Sequence, residues 1–105
     1  MDNFSPYTTI DDSNGFIYKH YHDNYGDHAD WVGQVKDGQV YNSHDHYLGY
    51  GGTDGKIYDE HDHYIGWVDT TGHVYNSAGV RIYDTTMGVV GGAAYMLSVY
   101  MGGVR

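Results

Sequence analysis

The chain has 105 residues, with 14 acidic side chains against 5 basic ones and a formal net charge of -9. That balance excludes a duplex-binding surface of clustered Lys and Arg, so nucleic acid is not an expected partner, and it disfavours an anionic membrane surface. Cysteine is absent, which removes disulfides, thiolate metal sites and Cys nucleophiles. Leu, Ile, Val and Phe number only 2, 5, 10 and 2, a scarcity that points to disorder, but 13 Tyr, 2 Trp, 16 Gly and a single Pro point instead to short strands and tight turns.

Residues 1–14 read as an N-terminal arm. Met1–Asp12 has neither a basic n-region nor an apolar run, so no signal peptide is expected and the location reads as cytoplasmic or non-classically delivered to the cell surface. Residues 15–84 read as a hairpin-repeat β domain. Segments beginning at Gly38, Gly55 and Gly72 align as Gly-x-(Val/Ile)-Tyr-(Asn/Asp), with starts 17 residues apart. An earlier copy begins Gly15-Phe-Ile-Tyr18 and ends Val32-Gly33, with an insertion in 19–30. A fixed short period signals one supersecondary unit repeated, each burying its apolar side on its neighbours.

Each unit predicts two short antiparallel strands. Asp37-Gly38, Asp54-Gly55 and Thr71-Gly72 supply one set of hairpin turns, because glycine accepts the positive φ that a primed turn needs. Asn42–Asp45, Asp59–Asp62 and Asn76–Gly79 supply the other, with Asp45, Asp62 and Gly79 at the left-handed position. Val40, Ile57 and Val74 alternate with polar or Tyr neighbours, as in half-buried strands. The expected fold is therefore all-β: hairpin repeats of about 17 residues in a ring or flower, which removes exposed edges.

This pattern resembles the repeat of the bacterial β-flower proteins, in which hairpin petals radiate around a central axis. The resemblance covers Gly15–Tyr83. It departs where Asp45 and Asp62 replace Gly, where Tyr83 replaces the closing Gly, and in the enlarged first copy. It implies a fold and no activity, so no functional residue is carried over. The segment Gly66–Gly79 is also similar to choline-binding cell-wall repeats, which cage a quaternary ammonium between aromatics. A glycan- or choline-binding module would here use Trp31, Trp67, Tyr50 and Tyr64.

Residues 85–105 form a Gly/Ala-rich apolar segment that predicts a helix. No charge occurs from Thr85 to Val104. Gly88 and Gly92 form a small-xxx-small pair, and Ala94, Ser98 and Gly102 continue at spacing four, which on a helix makes one face that lets a backbone approach closely. Three placements follow: a core helix packed on the repeat sheet, a helix at an oligomer or filament axis using that face with Met96 and Leu97, or a membrane anchor through 85–104. The membrane is not favoured, because only Arg105 flanks the segment.

The His-Asp-His runs 44–46 and 61–63 occupy equivalent turns. His44, His46, His61 and His63 with Asp45 and Asp62 are donors suited to Zn or Ni, or they are solvated turn residues copied with the repeat. No cofactor is otherwise required. Ser43-His44-Asp45 is contiguous, and neighbours in sequence do not meet triad geometry, so catalysis is not expected. The reading that joins these features is a non-catalytic structural module that forms a homo-oligomer or filament through its apolar helix and Tyr/Gly-rich petals, with metal binding or ligand binding as alternatives.

Overall fold

A computed structural model describes residues 7–101. Nine strands run in simple order: β1 (Tyr7–Ile10), β2 (Phe16–Asp23), β3 (Gly26–Lys36), β4 (Gln39–Asn42), β5 (Tyr47–Gly51), β6 (Lys56–Asp59), β7 (Tyr64–Val68), β8 (His73–Asn76) and β9 (Arg81–Asp84). Each pairs antiparallel with the next in one curled, half-barrel sheet. The chain then turns into α1 (Gly88–Tyr95), which continues through Met96–Tyr100 as a wider π-type turn.

The hairpins share one construction. The ladder slips at Ile17/Tyr18, Val40/Tyr41, Ile57/Tyr58 and Val74/Tyr75, always between the aliphatic residue and the tyrosine that follows it. Each slip is a β-bulge, which adds twist and bends the strand. Glycine sits beside three of these bulges for a steric reason. A β-carbon at Gly33, Gly49 or Gly66 would collide with the carbonyl oxygen of Tyr41, Tyr58 or Tyr75 on the next strand. The repeated bend curls the sheet around the helix.

The turns agree with the sequence at the left-handed positions: Asp45, Asp62 and Gly79 have φ of 65, 64 and 84. Asp37-Gly38 is left-handed at both residues, as a primed turn requires. At Asp54-Gly55 only Gly55 is left-handed, and its N–H donates to Gly52 O at 3.1 Å, so this turn is one residue wider than the expected hairpin. What closes the second set of turns is the Asn or Asp after each tyrosine. Asn42 Oδ1 accepts the His44 and His46 N–H groups, Asp59 Oδ1 those of His61 and His63, and Asn76 Oδ1 those of Ala78 and Val80.

The expected boundary at residue 14 shifts. β1 already lies in the sheet, with Tyr7 opposite His20 and Ile10 opposite Ile17, because the β-prone Tyr-Thr-Thr-Ile segment has a free strand edge to join. The insertion lengthens β2 and β3 into a projecting hairpin of 8 and 11 residues. Cross-strand pairs His22–Asp27 and His28–Asp23, both 2.8 Å, brace its tip.

The core lies between the concave face of the sheet and the helix. Ile17, Val40, Leu48, Ile57, Val68 and Val74 meet Ala93, Ala94, Met96 and Leu97. Val40, Ile57 and Val74 are fully buried, the inward side of half-buried strands, because the helix covers the face that a bare sheet would leave wet. The helix is shorter than the uncharged run, and among the described residues no helix is long and apolar enough to cross a membrane.

Candidate functional site

Strand alternation fixes which side chains face away from the helix. Val40, Leu48, Ile57, Val68 and Val74 point into the core, so alternation sets Tyr41, Tyr47, Tyr58, Trp67 and Tyr75 on the outward face, and the bulges, each adding one residue, bring Tyr50 and Tyr64 to the same face opposite Tyr58. Register then pairs them across strands: Tyr41 with Tyr47, Tyr50 and Tyr64 with Tyr58, and Trp67 with Tyr75. Tyr50 and Tyr58 stack at 5.1 Å, and Trp67 and Tyr75 at 4.7 Å. The rings stand as ridges, and clefts open between them.

One cleft, of about 360 Å3, is lined by Tyr47, Tyr50, Asp37, Gln39 and Asp62. A second, of about 290 Å3, is lined by Phe16, Trp31, Gln34, Lys36 and Asp45. In the second, the Trp31 ring leans on Phe16 at 5.1 Å and its indole N–H donates to Gly33 O at 2.7 Å. Trp67 and Tyr64 lie on the open face beyond both clefts, so the four expected ligand residues Trp31, Trp67, Tyr50 and Tyr64 share a surface but not one pocket.

Carboxylates line the rims of the ridges. Burial and a hydrogen bond to Asp62 raise the Tyr50 hydroxyl above its ordinary value. Burial and a hydrogen bond to Asp69 do the same for Tyr75. Burial pushes the Asp69 carboxyl up, but hydrogen bonds from the Thr71 hydroxyl, the His73 and Thr71 N–H groups and the Tyr75 hydroxyl outweigh it and hold the group at about 2. The Asp69 carboxyl stays ionised over the whole neutral range, and Asp62 is open to the cleft.

The histidine turns are built for something local. The backbone of His44 and His46 caps onto Asn42, and that of His61 and His63 onto Asp59. The His61 and His63 rings lie 5.9 Å apart. Asp45 is drawn to Lys36 at 3.1 Å, and Asp62 to Tyr50. Among the described residues no three His, Asp or Glu side chains converge where a metal ion would sit.

The helix face expected to meet another copy meets the chain's own sheet. Gly92, Ala94, Met96, Leu97 and Ser98 are buried, and a β-carbon at Gly92 would collide with Val68 Cγ2. Small residues there serve close helix–sheet packing. Gly88 is exposed at φ 70, in the turn that enters the helix, and Gly102 lies outside the described residues. The sequence does not single out Asp37, Tyr58 or Tyr75; the Tyr of each Val/Ile-Tyr step, read as outward-facing at a bulge, is the signal that finds the two tyrosines. Comparison with family models, with curated proteins and with solved structures gives no significant match to this chain.

Proposed function

We propose that the chain is a non-catalytic glycan-binding module whose outward aromatic face is the recognition surface. The observation that carries this reading is an outward sheet face of rings stacked in cross-strand pairs, with open clefts walled by Tyr47 and Tyr50 and by Phe16 and Trp31. A pyranose ring entering such a cleft meets aromatic faces at the walls and carboxylate or amide oxygens at the rim, which accept its hydroxyls. Rigid strands hold these groups without ordering a loop on binding. A flower-like closure of the petals belongs to this reading and is supported by Tyr83 on β9, whose hydroxyl accepts the Thr8 N–H of β1 at 2.9 Å.

The test is a tryptophan-fluorescence and calorimetric titration with a panel of neutral and charged oligosaccharides. Binding by one class is expected, weakened about tenfold in Trp31→Ala by loss of the stacking wall. Unchanged emission and no heat across the panel reject the reading. A second reading, self-assembly into a homo-oligomer or filament, draws support from Met87, Tyr100 and Met101, which leave apolar surface exposed at the ends of the helical segment. Native mass decides it, a single-chain particle at high concentration being the negative result.

A further inference from the structure

The last repeat departs from a rule that the other three obey. Gly33, Gly49 and Gly66 hold one position of the hairpin, opposite Ile17, Val40 and Ile57 on the preceding strand, and Tyr83 holds it opposite Val74. At each of those glycines a β-carbon would run into a carbonyl oxygen of the strand that follows. No strand follows β9 in the sheet, so a side chain fits there. By the same geometry, the Tyr83 β-carbon stands where the backbone of a tenth strand would lie in the repeat's register.

The same side chain occupies the other edge of the sheet. Asp11 N–H donates to Phe16 O on β2, so by alternation the backbone groups of Thr8 and Ile10 face away from β2. The Tyr83 hydroxyl accepts the Thr8 N–H at 2.9 Å and donates to the Thr8 carbonyl at 3.4 Å. A hydroxyl can accept and donate at once, so one tyrosine meets both groups that a neighbouring strand would meet. Its ring lies flat on Tyr95 of α1, with centroids 3.7 Å apart and planes 3° from parallel, which fixes its aim. The two edges do not pair with each other. As first and ninth strands of an antiparallel meander they run the same way, and a cavity of about 460 Å3 lies along the seam.

We propose that Tyr83 is an autoinhibitory latch that bars a second copy of this chain from extending the sheet. β1 and β9 are the two strands of the described sheet with an unpaired edge. The Asp84 backbone faces the free side of β9, since Thr85 N–H donates to Gly72 O on β8. A strand that joins there antiparallel comes from outside the molecule, and β1 of another copy is the one strand with a free edge that this chain offers. Such a head-to-tail contact repeats from copy to copy and grows unless its rotation closes a ring. The latch stops it on both sides, through the β-carbon at β9 and the hydroxyl at β1. The inference concerns strand edges and is independent of glycan recognition on the outward face.

The experiment compares the native chain with Tyr83→Phe, Tyr83→Ala and Tyr83→Gly by sedimentation and amide hydrogen exchange. Tyr83→Phe keeps the ring and the β-carbon, so its particle mass is expected to match the native one. Its Thr8 amide is expected to exchange about tenfold faster, as for one hydrogen bond lost, while the Asp11 amide, bonded to Phe16 O, does not change. Tyr83→Ala and Tyr83→Gly both lose the ring and differ only in the β-carbon. Tyr83→Gly is expected to form particles that grow with concentration and to gain protection at the Asp84 amide, while Tyr83→Ala keeps the native mass. An unchanged Thr8 amide in Tyr83→Phe, native mass in Tyr83→Gly, or equal growth in Tyr83→Ala and Tyr83→Gly overturns the latch. If Tyr83→Ala or Tyr83→Gly does not fold, the native chain decides with Tyr83→Phe. An Asp84 amide that becomes protected as native concentration rises overturns the proposal; one that stays open, together with the faster Thr8 amide in Tyr83→Phe, upholds it.

Discussion

At Asn76, one side-chain oxygen does the work of a turn. Asn76 Oδ1 accepts the N–H groups of Ala78 and Val80, both at 3.0 Å. Asn76→Ala leaves two donors without their acceptor, and a loss of about 1–3 kcal/mol is expected in chemical denaturation. Asp69 plays the same part on the opposite set of turns with a charged oxygen, accepting from Thr71 and His73. Its folded value of about 2 lies below the ordinary 3.8, so the unfolded chain binds the proton more readily. Its contribution is complete above 3.8 and disappears as pH falls toward 2. The urea midpoint should therefore drop through this window in the native chain and drop less in Asp69→Ala. A slope identical in both would remove Asp69 as the cause.

The helix and the sheet are complementary by shape rather than by charge. Gly92 and Gly66 allow the contact: a β-carbon at Gly92 meets Val68, and one at Gly66 meets Met96. Gly92→Leu is expected to lower the thermal midpoint sharply, because an overpacked core costs about 1–3 kcal/mol and a side chain there runs into Val68 and Val74. Ser98 is the opposite case. Its buried hydroxyl lacks a hydrogen-bond partner among the described residues, so Ser98→Ala should raise stability by about 1 kcal/mol. A lower midpoint for Ser98→Ala would reveal a partner for that hydroxyl. The repeat hairpins of the β domain were legible in the chain, since glycine spacing and the Tyr-Asn/Asp steps place every second turn. The strand at Tyr7–Ile10 was not, because its pairing with Phe16–Asp23 depends on an edge that exists only after the sheet forms. The fate of the apolar tail was also open, because small residues at spacing four suit a sheet as well as another helix.

For the whole molecule, charge is the controllable quantity. With 8 histidines on a formal charge of -9, protonating all of them would bring the formal total to about -1. Self-repulsion then fades, and association should increase as pH falls from about 7 to about 5. Light scattering across that range checks it, with constant particle size as the negative result.

Alternation of aliphatic and aromatic residues, glycine at the turns and the Asn or Asp after Tyr41, Tyr58 and Tyr75 determined by themselves that this chain makes antiparallel hairpins, since those preferences act within a few residues. Tertiary structure alone decided where the apolar tail went and which tyrosines became neighbours. Both outcomes depend on how far the bulges curl the sheet, a sum over nine strands that no local stretch of sequence carries. That curl encloses Ala93, Ala94 and Leu97 on one side and, on the other, sets Tyr47 and Tyr50 in one cleft with Asp37 and Asp62.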